Sequence, residues 1–140
     1  MDSPALVGVR VTRVLNSVAN VTAMGALEGK IYVDVIGFTG SDSTLKIGDI
    51  QRQRKDRKIW QVPYSAITPK KVTNLLVAGR CFGYEQPLTY DAREIGTCLM
   101  TGQAAGTAAG IAVERRCANR DMDIAELQKR LRAQNVKLDW

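Results

Sequence analysis

The chain has 140 residues, of which 45% are hydrophobic and 24% charged, with a net charge of +6. That composition suits one folded domain and excludes a disordered, collagen-like or disulfide-framework chain. Three cysteines without a C-x-x-C pair and the absence of histidine exclude a Ser-His or Cys-His nucleophile built from this chain and leave no ordinary zinc site.

In chain order, Met1–Leu6 has neither a positive n-region nor a sustained apolar core, so no signal peptide is read there and the chain is expected in the cytoplasm. The alternation in Val7-Gly-Val9-Arg-Val11 predicts a strand within residues 5–21. After Gly25 and Gly29, the β-branched and aromatic run Lys30–Phe38 predicts a second strand. Thr39–Thr44 is a loop by composition. Residues 51–58 carry five basic residues and one acid, a local charge of +4, which leaves +2 for the rest of the chain. No Phe or Tyr interleaves this cluster. It therefore reads as a solvated loop between strands rather than as a nucleic-acid patch, the weaker alternative.

Ile59–Val62 predicts a short strand ended by Pro63, and Pro69–Asn74 a turn. Asn74–Gly79 is a compact apolar run, predicted as a strand buried on both faces. Arg80–Glu94 is irregular. A helix is predicted over 97–116, and a second one opens at Asp123. Asp123 is the N-cap of that second helix, Glu126 completes a capping-box pattern, and Ile124, Leu127 and Leu131 form its apolar stripe.

Residues 95–113 contain no charge but hold four Gly, five Ala, three Thr and a Gln. That is too little apolar bulk for a membrane span. Gly102, Gly106 and Gly110 lie on one helical face and lower helix propensity by about 2–3 kcal/mol relative to alanine. Tight packing against another element is the expected compensation. The helix start, Gly96-Thr97-Cys98-Leu99, has amide groups without intrahelical partners and the positive end of the helix dipole, the features that attract an anionic cofactor.

Three stretches, Pro63–Ile67, Pro69–Cys81 and Gly96–Ala109, together with the tail Asp121–Gln134, resemble the C-terminal part of a family of FAD-dependent oxidoreductases with a glutathione-reductase-like FAD-binding fold. The similarity spans about residues 59–138. It rests on Val72-x-Asn-Leu-Leu-Val-Ala-Gly-Arg-Cys81 combined with Thr97-Cys-x-x-x-Gly-Gln-Ala-Ala-Gly-Thr-Ala-Ala109. The resemblance implies an α/β fold: a partial Rossmann-like sheet, a β-rich segment over 1–65, and a C-terminal FAD-binding part over 66–140 with two helices.

It also implies a cofactor, FAD, and hydride or electron transfer on a small-molecule substrate. Gly79 and Arg80 would lie beside the ribityl chain and pyrophosphate. Gly96, Thr97, Cys98 and Leu99 would face the pyrimidine edge of the flavin ring, and Arg93 would meet an anionic substrate or the flavin. This sequence departs from the family at Gln86-Pro87, where a His-Glu pair is common, and at Gly96, where proline is usual. Cys81 and Cys98 are read as small buried residues. No G-x-G-x-x-G turn precedes these motifs, so the expected partner is the rest of an FAD-binding fold or a second chain. The alternative is a non-catalytic interaction module that pairs through the edge of its sheet. No membrane partner is expected.

Overall fold

The computed structural model describes residues 13–40, 45–47, 50–52 and 59–139. The strand expected at Val7–Val11 and most of the basic cluster at 51–58 lie outside the described residues. Among the described residues, four helices and four short strands make up a mixed α/β arrangement. They are α1 (Ala23–Glu28), β1 (Val35–Thr39), β2 (Leu45–Ile47), β3 (Ile50–Arg52), β4 (Trp60–Pro63), α2 (Thr89–Ala92), α3 (Ile95–Arg115) and α4 (Ile124–Ala133). The strands pair as two antiparallel ribbons, β1 with β4 and β2 with β3.

Local chemistry sets most boundaries. Thr22 caps α1 by accepting from the Gly25 amide, and Gly29 closes that helix in the left-handed region at φ 72°. Asp123 Oδ1 accepts from the Glu126 amide at 3.1 Å, as the sequence predicts. The Glu126 carboxylate does not return the bond; it takes Arg130 Nε at 2.8 Å. The guanidinium of Arg130 also forks onto both carboxylate oxygens of Glu114, at 3.0 and 2.6 Å, joining α4 to α3. That fork holds the Glu114 carboxyl below its usual range.

The strand expected over 30–38 forms only from Val35. Ile31 and Val33 face solvent at 81% and 92% exposure, and the Tyr32 amide is taken by Gln61 Oε1 at 2.7 Å instead of a strand partner.

One core joins the two halves of the chain. Ile36, Val62, Ile67, Phe82, Leu88, Ile111, Leu127 and Leu131 are all essentially buried. α3 turns Thr97, Thr101, Ala104, Ala108 and Ile111 into this core. β1 approaches α3 closely at Gly37: a Cβ there would sit 2.5 and 2.7 Å from Cγ and Sδ of Met100.

Two expectations are corrected. Residues 74–79 are not a strand buried on both faces. The run through Ala78 belongs to no sheet, and Leu75 is 45% exposed. The segment is held by the Val77 amide on the Ile67 carbonyl at 2.9 Å and by the Gly79 amide on Thr101 Oγ1 at 3.0 Å. An apolar run becomes a doubly buried strand only when strands flank it, and none does so here among the described residues. The glycine ridge is not tightly packed either. Among the described residues nothing stands within 4 Å of a Cβ placed at Gly102, Gly106 or Gly110, because α3 directs its Thr and Ala residues, not its glycines, at the core.

Candidate functional site

The site is built where the first turn of α3 meets the end of β1. Glu94 precedes α3 but places no side-chain oxygen on its amides. The first bond drawn back to this cap is Cys98 N–H to the Glu94 carbonyl at 2.9 Å. The amides of Ile95, Gly96 and Thr97 therefore precede the helical ladder and have no partner among the described residues. A 21-residue helix aims its positive end there.

A buried threonine network fixes this helix start. Thr97 Oγ1 donates to the Asp91 carbonyl at 2.8 Å, and the Thr39 hydroxyl is bonded to Thr97 Oγ1. Thr39 Oγ1 also stands 3.4 Å from the same Asp91 carbonyl, so the two hydroxyls share that acceptor. The Asp91 carboxylate accepts from Trp60 Nε1 at 2.8 Å, so α2, β1, β4 and α3 converge on one residue. One turn along, Thr101 Oγ1 donates to the Thr97 carbonyl at 2.8 Å while accepting from Gly79 N–H. Gly79 is thereby held against the first turn of α3, 3.9 Å from Cys98 Sγ measured at the position of a glycine Cβ. Its φ of 70° lies in the left-handed region, where a side chain is disfavoured.

A cleft of about 450 Å³ opens at the helix start, lined by Phe38, Thr39, Gly40, Ile59, Glu94, Gly96 and Thr97. A neighbouring cavity of about 520 Å³ shares Phe38 and Ile59 with it and extends along Trp60, Tyr32 and Gln128. The Tyr32 hydroxyl is buried there without a hydrogen-bond partner among the described residues, and burial, followed by the charge of Asp34, raises its pKa.

The chain matches the family model described as FAD dependent oxidoreductase over residues 1–131. The chain belongs to this family. No curated protein and no solved structure matches it. Family membership makes FAD the cofactor and flavin oxidoreduction the type of function.

The residues fit such a group at the α3 start. Uncapped amides, the helix dipole and a glycine without a side chain together offer donors and room for an anionic ring edge. The structure brings Gly79, Gly96, Thr97 and Cys98 together. It does not bring Leu99 to the cleft, since that side chain is 68% exposed on the outer face of α3. The Arg93 guanidinium lies 4.9 Å over the ring of Tyr90 and is absent from the cleft lining. Arg80 sits in the 3₁₀ turn 79–81, and its carbonyl accepts from the Tyr84 hydroxyl at 2.9 Å. Cys81 and Cys98 are half-buried rather than buried.

Sequence reasoning missed Thr39, Asp91 and Thr101. Each is an ordinary polar residue whose importance comes from partners 58, 6 and 22 positions away. Among the described residues no group of Cys, Asp and Glu could hold a metal ion. No described helix is long and apolar enough to cross a membrane.

Proposed function

We propose that this chain forms the flavin-contacting, C-terminal portion of an FAD-dependent oxidoreductase. The flavin supplies hydride or electron transfer when bound. The chain's own residues bind and orient it. The amides of Ile95, Gly96 and Thr97 would donate to the pyrimidine edge of a bound ring, where reduced flavin carries negative charge. Gly79 and Arg80 would hold the ribityl and pyrophosphate groups, and Arg93 would orient an anionic substrate once its guanidinium leaves the Tyr90 ring. The observation that carries this reading is the uncapped start of α3, opening on a cleft and locked in place by Thr97 and Thr101.

The same geometry limits what the chain does alone. A helix terminus contributes about 0.3–1 kcal/mol per favourable contact, whereas micromolar affinity requires about 8 kcal/mol. The full chain is therefore expected to bind FAD weakly but saturably, with an affinity poorer than micromolar, in a titration followed by flavin fluorescence. Gly96→Asp places a carboxylate at the helix start, where no described residue stands within 4 Å of the new Cβ. That variant should fold at least as stably, since acids favour a helix N-terminus, while binding FAD more weakly. If the parent chain shows no saturable binding, or if Gly96→Asp binds as well as the parent, the α3 start is not the flavin contact.

A further inference from the structure

We propose that the cavity beside the α3 cleft holds the molecule on which the flavin acts, an organic acid with an apolar body and a carbonyl group. The acid lies at Lys30 and Arg132, the body along Ile31, Val33 and Ile59, and the carbonyl at the Tyr32 hydroxyl. Calling this ligand the substrate rests on the flavin reading of the α3 start; the site itself does not. Its wall is built by side chains. Residues 31–33 stand outside the β1–β4 ladder, which begins at Val35. Gln61 Oε1 accepts from the Tyr32 amide at 2.7 Å, and Gln128 Nε2 donates to the carbonyls of Val33 and Val35 at 2.9 and 3.1 Å. These tethers border a cavity of about 520 Å³, within the range of about 300–1,000 Å³ that small-molecule sites occupy.

The lining selects the ligand. Ile31, Val33 and Ile59 are 81%, 92% and 42% exposed, and all three border this cavity. One exposed aliphatic side chain means little, but three around one opening suit an apolar ligand. Lys30 and Arg132 border the same cavity against one acid, Asp139, which leaves one net positive charge. That balance matches a monoanion such as a carboxylate rather than a phosphate dianion. Lys30 has no ion pair among the described residues; its ammonium lies 5.0 Å over the Tyr32 ring. Arg132 meets Asp139 at 3.2 Å, but that carboxylate is 84% exposed, and such a pair exchanges partners at little cost.

The inner end differs. The Tyr32 hydroxyl is shut off from solvent with no partner among the described residues, a cost that buried hydroxyls rarely carry. Burial and the charge of Asp34 hold its proton in place, so the hydroxyl is a donor. The Asp34 charge also opposes an anion there. An uncharged acceptor, a carbonyl oxygen, meets both conditions. An acid that draws the Lys30 ammonium off the ring uncovers that side of Tyr32. The cavity shares Phe38 and Ile59 with the cleft at Gly96 and Thr97, so its ligand abuts a ring bound at the α3 amides.

Calorimetric titration of the full chain with para-benzoylbenzoate, without FAD, tests the site. The expected result is saturable one-to-one binding with a Kd below about 1 mM. Lys30→Glu, at an exposed position, should keep the circular dichroism of the parent and weaken binding about fivefold or more. Tyr32→Phe should weaken it about two- to tenfold and leave para-benzylbenzoate, the same acid without the ketone, bound as before. It should not lower the melting temperature, since the hydroxyl has no partner among the described residues to lose. No binding by the parent, binding unchanged in Lys30→Glu, or equal losses for the two probes in Tyr32→Phe overturns the proposal. Displacement of the probe by FAD overturns it as well, because the cavity then belongs to the cofactor. Gly96→Asp, which lies on the cleft and not on this cavity, should bind the probe like the parent. A chain that binds the probe but not FAD overturns the flavin reading and the name of substrate with it. A chain that binds FAD but not the probe overturns this site alone.

Discussion

Thr39 and Thr97, 58 residues apart, share a buried hydroxyl–hydroxyl contact that ends on the carbonyl of Asp91. The pair ties the last residue of β1 to the first turn of α3, and so decides where the open amides of that helix point. Neither residue is catalytic by this account; both position the helix start.

Thr97→Val keeps the shape and removes the hydroxyl. It removes the short bond to the Asp91 carbonyl and the hydroxyl partner of Thr39, leaving only the longer Thr39–Asp91 contact at 3.4 Å. The expected loss is about 1–3 kcal/mol in urea unfolding, together with weaker FAD binding. In a double-mutant cycle with Thr39→Val the second substitution should cost less than it does alone.

Gly83 donates its amide to the Ala66 carbonyl at 2.7 Å and accepts from the Val21 amide at 3.0 Å. A Cβ at Gly83 would collide with Ser17 Oγ and lie 2.6 Å from both Ser17 Cβ and Asn20 Oδ1. Ser17 is itself buried, so it has little freedom to yield. Gly83→Ala is expected to destabilise by about 1–3 kcal/mol through overpacking. Gly96→Ala, with no described residue within 4 Å of its Cβ, should be neutral or mildly stabilising when both variants are compared with the parent in thermal melts.

Arg116 ends α3 with φ 53°, in the left-handed region, its amide bonded back to the carbonyls of Ala112 and Val113. A residue with a side chain is strained there, and glycine is not. Arg116→Gly should raise stability by about 0.5–1 kcal/mol, after the extra unfolded-state entropy of glycine is subtracted. An unchanged or lowered melting temperature would contradict this.

Tyr64 donates its hydroxyl to the Asn119 carbonyl at 2.8 Å, and burial pushes its pKa up from 10.0 to about 12. The fold thus favours the protonated ring. Its contribution is complete below pH 10 and is lost as the pH climbs through about 12, because the unfolded chain releases that proton first. Tyr64→Phe should cost about 1–2 kcal/mol at pH 7. The gap between parent and variant should narrow between pH 10 and 12 in denaturant titrations. A constant gap would mean that Tyr64 does not titrate in that window.

Glu94 lines the cleft beside the open amides and opposes a second anion there. Glu94→Gln should tighten FAD binding by about two- to fivefold, the equivalent of one helix-terminus charge contact. It should also flatten the salt dependence of that binding. Weaker binding by this variant would show that the carboxylate supports the cofactor instead.

Local chemistry in the sequence determined the capped start of α4 at Asp123, the extent of α3, the short strand before Pro63 and the motifs that carry the family. Each depends on neighbours within a turn or on spacing along one element, so residue order alone expresses it. Other features were settled only by tertiary structure. Asn74–Gly79 has the composition of a buried strand, but a strand needs flanking strands, and composition does not report whether they are present. The spacing of Gly102, Gly106 and Gly110 placed them on one face without revealing whether that face looks inward. The neighbouring Thr97, Thr101, Ala104 and Ala108 took the core side: the Thr97 hydroxyl donates to the Asp91 carbonyl and the Thr101 hydroxyl accepts from the Gly79 amide, while the two alanines are buried beside them. Asp91 itself carries no local signal at all: it joins four elements only after the chain has folded, because hydrogen bonds between residues dozens of positions apart exist in space and not in sequence.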